Sequence, residues 1–349
     1  MKTARIIVFI LLLLAACDKF PNIPVTPTAT ATPIPTVAST PTSRISPDAA
    51  KYLNDALDIM QNNSINKHKI DWPALRADIL NAAADAQTPA GTYPFINMAL
   101  SRLNDNHSFL MEPQEAAAAE NGINPTPVPP KITLVETKFG YVVMPGYRGF
   151  NQDLMNQYGT DMQKQIEEID RQNPCGWIVD LRDNRGGNVW PMLIGIGPIL
   201  GDGIAGWSID ADGNQTEMAY LNGKGMDGHE IASEVIGEPY HLANPDAPVA
   251  VLFGANTRSS GEAIVIAFIG RSNTRTFGSN SGGYTTGNAN FPLSDKAILF
   301  LTTVIGADRA GKMYGGAIIP EVKTKGNNNF AGSISDEALQ WLGDQPACQ

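Results

Sequence analysis

The stretch from Pro248 to Ala267, PVAVLFGANTRSSGEAIVIA, constrains this chain more than any other. Its first part, Val249-Ala250-Val251-Leu252-Phe253, is an unbroken apolar run that reads as a buried strand. Gly254 to Arg258 form a short polar loop. Past Ser259-Ser260-Gly261-Glu262 comes a second apolar run, Ala263 to Ile269, too regular and too long to be loop. A strand that turns through a serine into a helix sets a hydroxyl at the helix N-terminus. Unpaired N–H groups and the helix dipole favour developing negative charge there. Two readings stand at this point. Ser259 or Ser260 is a nucleophile mounted as in many hydrolases, or it is a helix cap with Glu262 in the first turn.

The 349 residues, 43% of them hydrophobic, suffice for one large domain or one plus a smaller one. A net charge of -10 leaves no basic patch, so nucleic acid is not an expected partner. Cys17, Cys175 and Cys348 are too few for a disulfide scaffold and are not spaced as metal ligands. The histidines, at 68, 107, 229 and 241, form no His-x-x-x-His pair. No metal and no cofactor is expected.

The first 16 residues have the form of a secretory signal. Lys2 and Arg5 precede the apolar run Ile6 to Leu14, which is too short to span a bilayer as a mature helix. Leu14-Ala15-Ala16-Cys17 resembles a bacterial lipobox, which makes Cys17 the candidate lipidation site and residues 17–46 a tether. From Pro21 to Ser46 the tether is dominated by Pro and Thr and cannot bury enough surface to fold. At about 3.1 Å per residue it reaches roughly 80 Å from an anchor. The expected location is therefore the bacterial cell envelope, outside the cytoplasm, with the protein held to the membrane by lipid.

Ser46-Pro47-Asp48 reads as a helix start. Apolar residues at helical spacing then predict three helices, beginning near Pro47, Asp71 and Thr92, so residues 47–112 are expected to be a helical cap subdomain. It ends in Leu103-Asn104-Asp105-Asn106-His107-Ser108-Phe109, where His107 suits a loop facing a cleft or a capping role. Residues 114–130, rich in Ala and Pro, read as loop. From Ile132 the chain runs strand, strand, helix (Asn151 to Arg171), strand (Gly176 to Leu181), Gly-rich turn, helix to Leu200, then the strand, serine turn and helix above. This βαβ succession predicts a largely parallel sheet with helices on its faces, whose sites lie at the carboxyl ends of strands. Gly278 to Asn288 reads as a flexible loop. Strands at Ala297 to Thr303 and around Ile318-Ile319 are expected to complete the sheet, within a core of residues 131–327. A C-terminal helix and tail follow over 328–349, with the helix near Ser335 to Leu342.

Taken together, Gly176-Trp177-Ile178-Val179-Asp180-Leu181-Arg182-Asp183-Asn184-Arg185-Gly186-Gly187, Thr257-Arg258-Ser259-Ser260-Gly261-Glu262 and Gly316-Ala317-Ile318-Ile319-Pro320-Glu321 resemble the tail-specific, or C-terminal processing, serine peptidases. Ile70-Asp71-Trp72 and Leu103 to Phe109 join them in the family's order. The resemblance implies an α/β (α+β) fold, with a ClpP/crotonase-like βαβ core sheet under a helical cap. Members with a lysine base carry Phe-Gly-Lys-Gly after the serine, but here the stretch is Phe277-Gly278-Ser279-Asn280, and no PDZ domain is present. The chain is closer to the nisin-resistance branch, which takes a histidine from the helical part.

The resemblance then implies Ser259 as nucleophile, His107 as base, and an oxyanion hole drawn from the N–H groups of Gly186 or Gly187 and of Ser260. It leaves the group that orients His107 open among Asp105, Ser108 and Asn288. Arg182 and Asp183 read as loop-ordering residues, with Arg182 alternatively a ligand for a substrate carboxylate. Cys175 and Cys348 would share an oxidising compartment, where a disulfide could tie the C-terminus to the sheet. The expected activity is serine endopeptidase cleavage of peptides or unfolded protein tails. The alternatives are an esterase with the same dyad and a silent peptide- or lipid-binding protein on the same fold.

Overall fold

Side-chain caps set the starts of the first helices. A computed structural model describes residues 44–120, 128–324 and 334–349. The signal-like segment, Cys17 and the tether up to residue 43 lie outside the described residues. Helix α1 (Pro47–Asn63) starts where the Ser46 side chain accepts from Ala49 N–H, and α2 (Trp72–Ala82) where Asp71 accepts from Ala74 N–H. With α3 (Tyr93–Ser101) they bury Leu53, Leu57, Ile79, Ile96 and Leu100 in one cluster.

Strand β1 (Phe109–Met111) and helix α4 (Pro113–Glu120) follow. Helix α4 occupies the start of the stretch expected to be loop. Its run of alanines, the best helix former, favours the helix there. Next come β2 (Lys131–Val135), β3 (Phe139–Val143), α5 (Gln152–Asp170), β4 (Gly176–Asp180) and α6 (Val189–Leu200). Strands β5 (Gly203–Asp210), β6 (Gln215–Leu221), β7 (Lys224–Asp227) and β8 (Glu230–Glu234) form a meander. Strand β9 (Val249–Phe253), α7 (Ser260–Phe268) and β10 (Thr274–Gly278) make the serine-bearing unit. Strands β11 (Thr286–Pro292), β12 (Ile298–Ala307) and β13 (Val322–Lys323), then α8 (Asp336–Gly343), complete the described chain.

The strands form two sheets. The first runs β13-β10-β9-β4-β3-β2 and is parallel except where β2 meets β3. Every residue of β4 and β9 is buried. On one face Val249, Val251 and Phe253 pack with residues of α5, α6 and α7; on the other, Ala250 and Leu252 pack with Ala338 and Leu342 of α8. That double cover is why these strands are unbroken apolar runs. A disulfide between Cys175 and Cys348, with Cα atoms 5.1 Å apart, fastens the C-terminal tail beside β4. Among the described residues no helix is long and apolar enough to cross a membrane.

The second sheet, β1-β12-β5-β6-β7-β8 with β11 on the other side of β12, is antiparallel throughout. It corrects the expectation of a single sheet. Strand β12 belongs here: Leu299 and Leu301 face the helical cluster, while Phe300 between them and Thr302 after them face the other way. Such alternation marks a stretch covered by apolar groups on one side; farther along the other face is covered too, with Thr302 fully buried. No strand forms at Ile318-Ile319; Ile318 is buried in a loop, Ile319 is exposed, and β13 starts at Val322. The supposed loop from Gly278 to Asn288 becomes strand β11 from Thr286 onward.

Candidate active site

Ser259 stands at the turn from β9 to α7 with φ 52° and ψ -121°, a conformation that non-glycine residues rarely adopt. Such strain costs about 1–3 kcal/mol and persists only where surroundings enforce it. Here three bonds do so. Thr257 Oγ1 donates to the Leu181 carbonyl (2.8 Å), Arg258 N–H to the Asn184 carbonyl (3.0 Å), and Ser259 N–H to Glu262 Oε2 (2.9 Å). The serine turn is thus tied to the glycine turn after β4.

Gly186 (φ 88°) and Gly187 (φ 122°) need the absence of a side chain. A Cβ on Gly186 would lie 2.8 Å from Ser259 Cβ and 2.7 Å from the Arg258 carbonyl oxygen, and one on Gly187 would lie 1.8 Å from the Tyr147 carbonyl oxygen. The hydroxyl of Ser260 donates to the Gly187 carbonyl. The N–H of Gly186 is already donated to Asn184 Oδ1 (3.0 Å). Among the described residues, the N–H groups of Gly187 and Ser260 are donated to no other group.

Glu262 is fully buried and satisfies four donors: Ser259 N–H, Ser281 Oγ, and the N–H groups of Gly283 and Tyr284, the last two at 2.8 Å. Burial pushes its carboxyl above the usual range, against the pull of those donors. Glu262 therefore joins the serine turn to the loop that presents Tyr284. The Arg258 guanidinium lies 5.6 Å from the Tyr284 ring, and that ring meets the His107 imidazole edge-on at 5.4 Å.

His107 is held by groups both near and distant in sequence. Asp105 Oδ1 accepts from the N–H groups of His107 (2.9 Å) and Ser108 (2.8 Å), and Ser108 Oγ donates to Asp105 Oδ2. Asn288 Nδ2 donates to the His107 carbonyl (2.9 Å), Thr302 Oγ1 donates to Asn288 Oδ1 (2.9 Å), and Ser108 Oγ accepts Thr302 N–H (2.8 Å). Asp105 and Ser108 thus bond each other and the backbone, while Asn288 bonds the His107 carbonyl and Thr302. The ring's own bond joins Nδ1 to Thr286 Oγ1 at 2.7 Å. Burial holds the imidazole below its ordinary pKa, opposed by the charge of Asp105. Among the described residues, Ser259 Oγ and the imidazole are not hydrogen-bonded to each other.

Sequence reasoning did not find Thr286. It lay in the stretch read as flexible loop, and a threonine there carries no motif. Glu262 was visible as a capping residue, but not as the acceptor for the loop around residues 281–284. Arg182, 1% exposed, is bound through Nε (2.9 Å) and Nη2 (2.6 Å) to buried Asp180, which also accepts from Tyr141. That burial removes it as a ligand for a substrate carboxylate.

A strained serine at the start of a helix, beside a glycine turn, is how many hydrolases mount a nucleophile. A model of peptidase family S41 matches residues 138–323, more than half of the chain, and the chain belongs to that family. It is accordingly a serine-type peptidase, whose substrates are peptides or proteins. It is 28% identical over 304 residues to the nisin-resistance protein of Lactococcus lactis subsp. lactis, covering 86% of this chain and 89% of that one. A lipoprotein from Streptococcus agalactiae has a similar fold, with TM-score 0.70, 22% identity, and coverage of 85% of this chain and 96% of that one. So does a photosystem II D1 C-terminal processing protease, with TM-score 0.57, 16% identity, and coverage of 86% and 98%.

Proposed function

We propose that Ser259 is the nucleophile and His107 the general base of an endopeptidase that cuts peptides and protein tails outside the cytoplasm. The observation that carries this is the forced backbone of Ser259, packed against Gly186 and coupled through Glu262 and Tyr284 to the His107 imidazole. A serine hydroxyl is a weak nucleophile at neutral pH and needs a base. His107 Nε2 takes the Ser259 proton as Oγ attacks the scissile carbonyl carbon. The carbonyl oxygen becomes an oxyanion, received by the N–H groups of Gly187 and Ser260. Losing one such donor typically costs about 3 kcal/mol of transition-state stabilisation.

The imidazolium then gives its proton to the departing amine, and the C–N bond breaks to leave an acyl-enzyme. Water, deprotonated by the same imidazole, releases the acid and restores Ser259. Thr286 acts as the positioning residue, accepting from Nδ1–H so that the Nε2 lone pair is free. The bond between Ser259 Oγ and Nε2 forms when substrate occupies the cleft; catalytic bonds commonly tighten only in the substrate complex.

The disulfide supports an oxidising location. The Leu14-Ala15-Ala16-Cys17 sequence and the similarity to a streptococcal lipoprotein support a lipid anchor at Cys17, with the Pro/Thr-rich segment as tether. The test is hydrolysis of a quenched-fluorescent peptide library, with ester analogues alongside. Ser259→Ala and His107→Ala should each abolish amide cleavage without lowering the melting temperature. Full activity in His107→Ala would reject the dyad, and turnover of esters alone would make the protein an esterase.

A further inference from the structure

The second sheet carries a feature that the dyad does not use. In the register of β11, β12 and β1, Asn290 pairs with Phe300 and Phe300 with Phe109, so the three form one row across the sheet. Directly paired residues share a face. The neighbouring row, Phe291, Leu299 and Leu110, belongs to the helical cluster. Phe109 and Phe300 therefore stand on the opposite face, away from the helices. They stack with ring centroids 4.6 Å apart and planes 5° from parallel, and Phe109 is 43% exposed. An aromatic pair of this size is costly to leave in water, since each such ring hides much apolar area when covered.

The same face leads into the catalytic groups. The next row holds Asn288 paired with Thr302, and Asn288 bonds the His107 carbonyl. His107 precedes Phe109 by two residues on a segment leading into β1, and two residues of strand span roughly 7 Å.

We infer that the Phe109–Phe300 stack is a specificity subsite that receives an apolar or aromatic side chain of the peptide substrate, about two residues from the cleaved bond. This rests on the peptidase reading above. A peptide lying extended along this face presents every second side chain to it, so the one reaching the stack is separated by one residue from the one beside His107. Covering the stack removes apolar area from water on both partners. Burying a Phe or Leu side chain in this way corresponds to roughly 10- to 100-fold in affinity. Asn290 at the end of the row is neutral and supplies no charge to recruit a charged residue in its place.

The experiment uses fluorogenic peptides of Ala, Ser and Gly with Phe, Leu or Asp placed singly at each of three positions on either side of the cut. The expected result is a preference of at least about tenfold for Phe or Leu over Asp at one position two residues from the cleaved bond. Phe109→Ala should reduce that preference to about twofold, and Phe109→Leu should restore most of it. Leu221→Ala, an exposed apolar change on β6, should leave it alone. In parallel, binding of the Phe peptide to Ser259→Ala protein should weaken about tenfold when Phe109→Ala is added, with an unchanged melting temperature. Equal loss for Phe and Asp peptides, or binding indifferent to Phe109, overturns the subsite. Binding that depends on Phe109 in a wild-type protein that cleaves nothing would uphold the subsite and overturn the peptidase reading instead.

Discussion

The two halves of the candidate site are built in opposite ways. Ser259, Gly186 and Gly187 sit on turns that leave neighbouring parallel strands, β9 and β4, each buried along its whole length. Their position is set by backbone running out of a packed sheet. His107 and Thr286 come from antiparallel strands and the loop before β1, joined by side-chain bonds across 179 to 194 residues of sequence. The nucleophile side is therefore stiff and locally encoded, whereas the base side is assembled from polar contacts that single substitutions can release one at a time. Small changes on the first should be all-or-none in effect, and changes on the second should be graded.

The largest effect expected is at Gly186. In Gly186→Ala the added methyl meets Ser259 Cβ and the Arg258 carbonyl, at a φ of 88° that alanine resists. Peptide hydrolysis should fall as far as in Ser259→Ala, on the order of 10³-fold or more. The matching change on the other side, Asn288→Ala, frees the His107 carbonyl but leaves the Nδ1–Thr286 bond. It should lower kcat only about tenfold. If steady-state kinetics ranks Asn288→Ala as the more severe, the contrast between stiff and assembled halves is wrong.

Next in size is Glu262→Gln, because Glu262 joins the halves. A carboxamide replaces one acceptor oxygen by an NH₂ that must face N–H or O–H donors. Hydrogen bonds to a buried charged group contribute about 1.5–3 kcal/mol, and an unsatisfied donor adds its own penalty. About 3 kcal/mol of stability should be lost in thermal or denaturant unfolding, together with most activity. Retained stability would mean that the link from Ser259 to Tyr284 does not depend on this carboxylate.

The same contrast decides how much could be read from sequence. Strands buried on both faces announce themselves as apolar runs, so β4, β9 and the turns at their ends were legible, and with them Ser259 and the glycines. Helices α1, α2, α5 and α8 were legible because Ser46, Asp71, Asn151 and Ser335 cap them. Strand β11, Thr-Gly-Asn-Ala-Asn-Phe-Pro, has neither an apolar run nor clean alternation, because it is one edge of its sheet and its inner face meets polar groups of the His107 loop. Its strand character comes from pairing with β12, a tertiary effect. The reading of that stretch as loop hid Thr286, whose hydroxyl bonds His107 Nδ1, while Asp105, Ser108 and Asn288 were named as candidates for the orienting group. The meander β5–β8 was passed over altogether in the sequence reading.

Smaller effects test the base side alone. Thr286→Val keeps shape and removes the hydroxyl, so kcat should fall about 10- to 100-fold while KM changes little. The pH profile discriminates positioning from simple disruption. The base must be neutral, and burial already disfavours the imidazolium. The acid limb of kcat/KM for the wild type should therefore lie below the ordinary histidine value of about 6.5. In Thr286→Asp a carboxylate beside Nδ1 would favour the imidazolium, raise the pKa and move that limb upward. A limb that stays in place in Thr286→Asp would show that His107 is not the titrating group.

The smallest effect isolates the strain at Ser259. Ser259→Ala and Ser259→Gly both lack the hydroxyl, so both should be inactive, and activity cannot tell them apart. Stability can. Alanine must hold φ 52° with a Cβ, whereas glycine adopts positive φ without steric cost, although it loses more backbone entropy on folding. If the turn is forced by its bonds to Leu181, Asn184 and Glu262, relief of strain should outweigh that entropy. Ser259→Gly should then be more stable than Ser259→Ala by about 1 kcal/mol in denaturant unfolding. The opposite order would mean that the turn relaxes when the serine is replaced, and that the nucleophile side is less rigid than its packing implies.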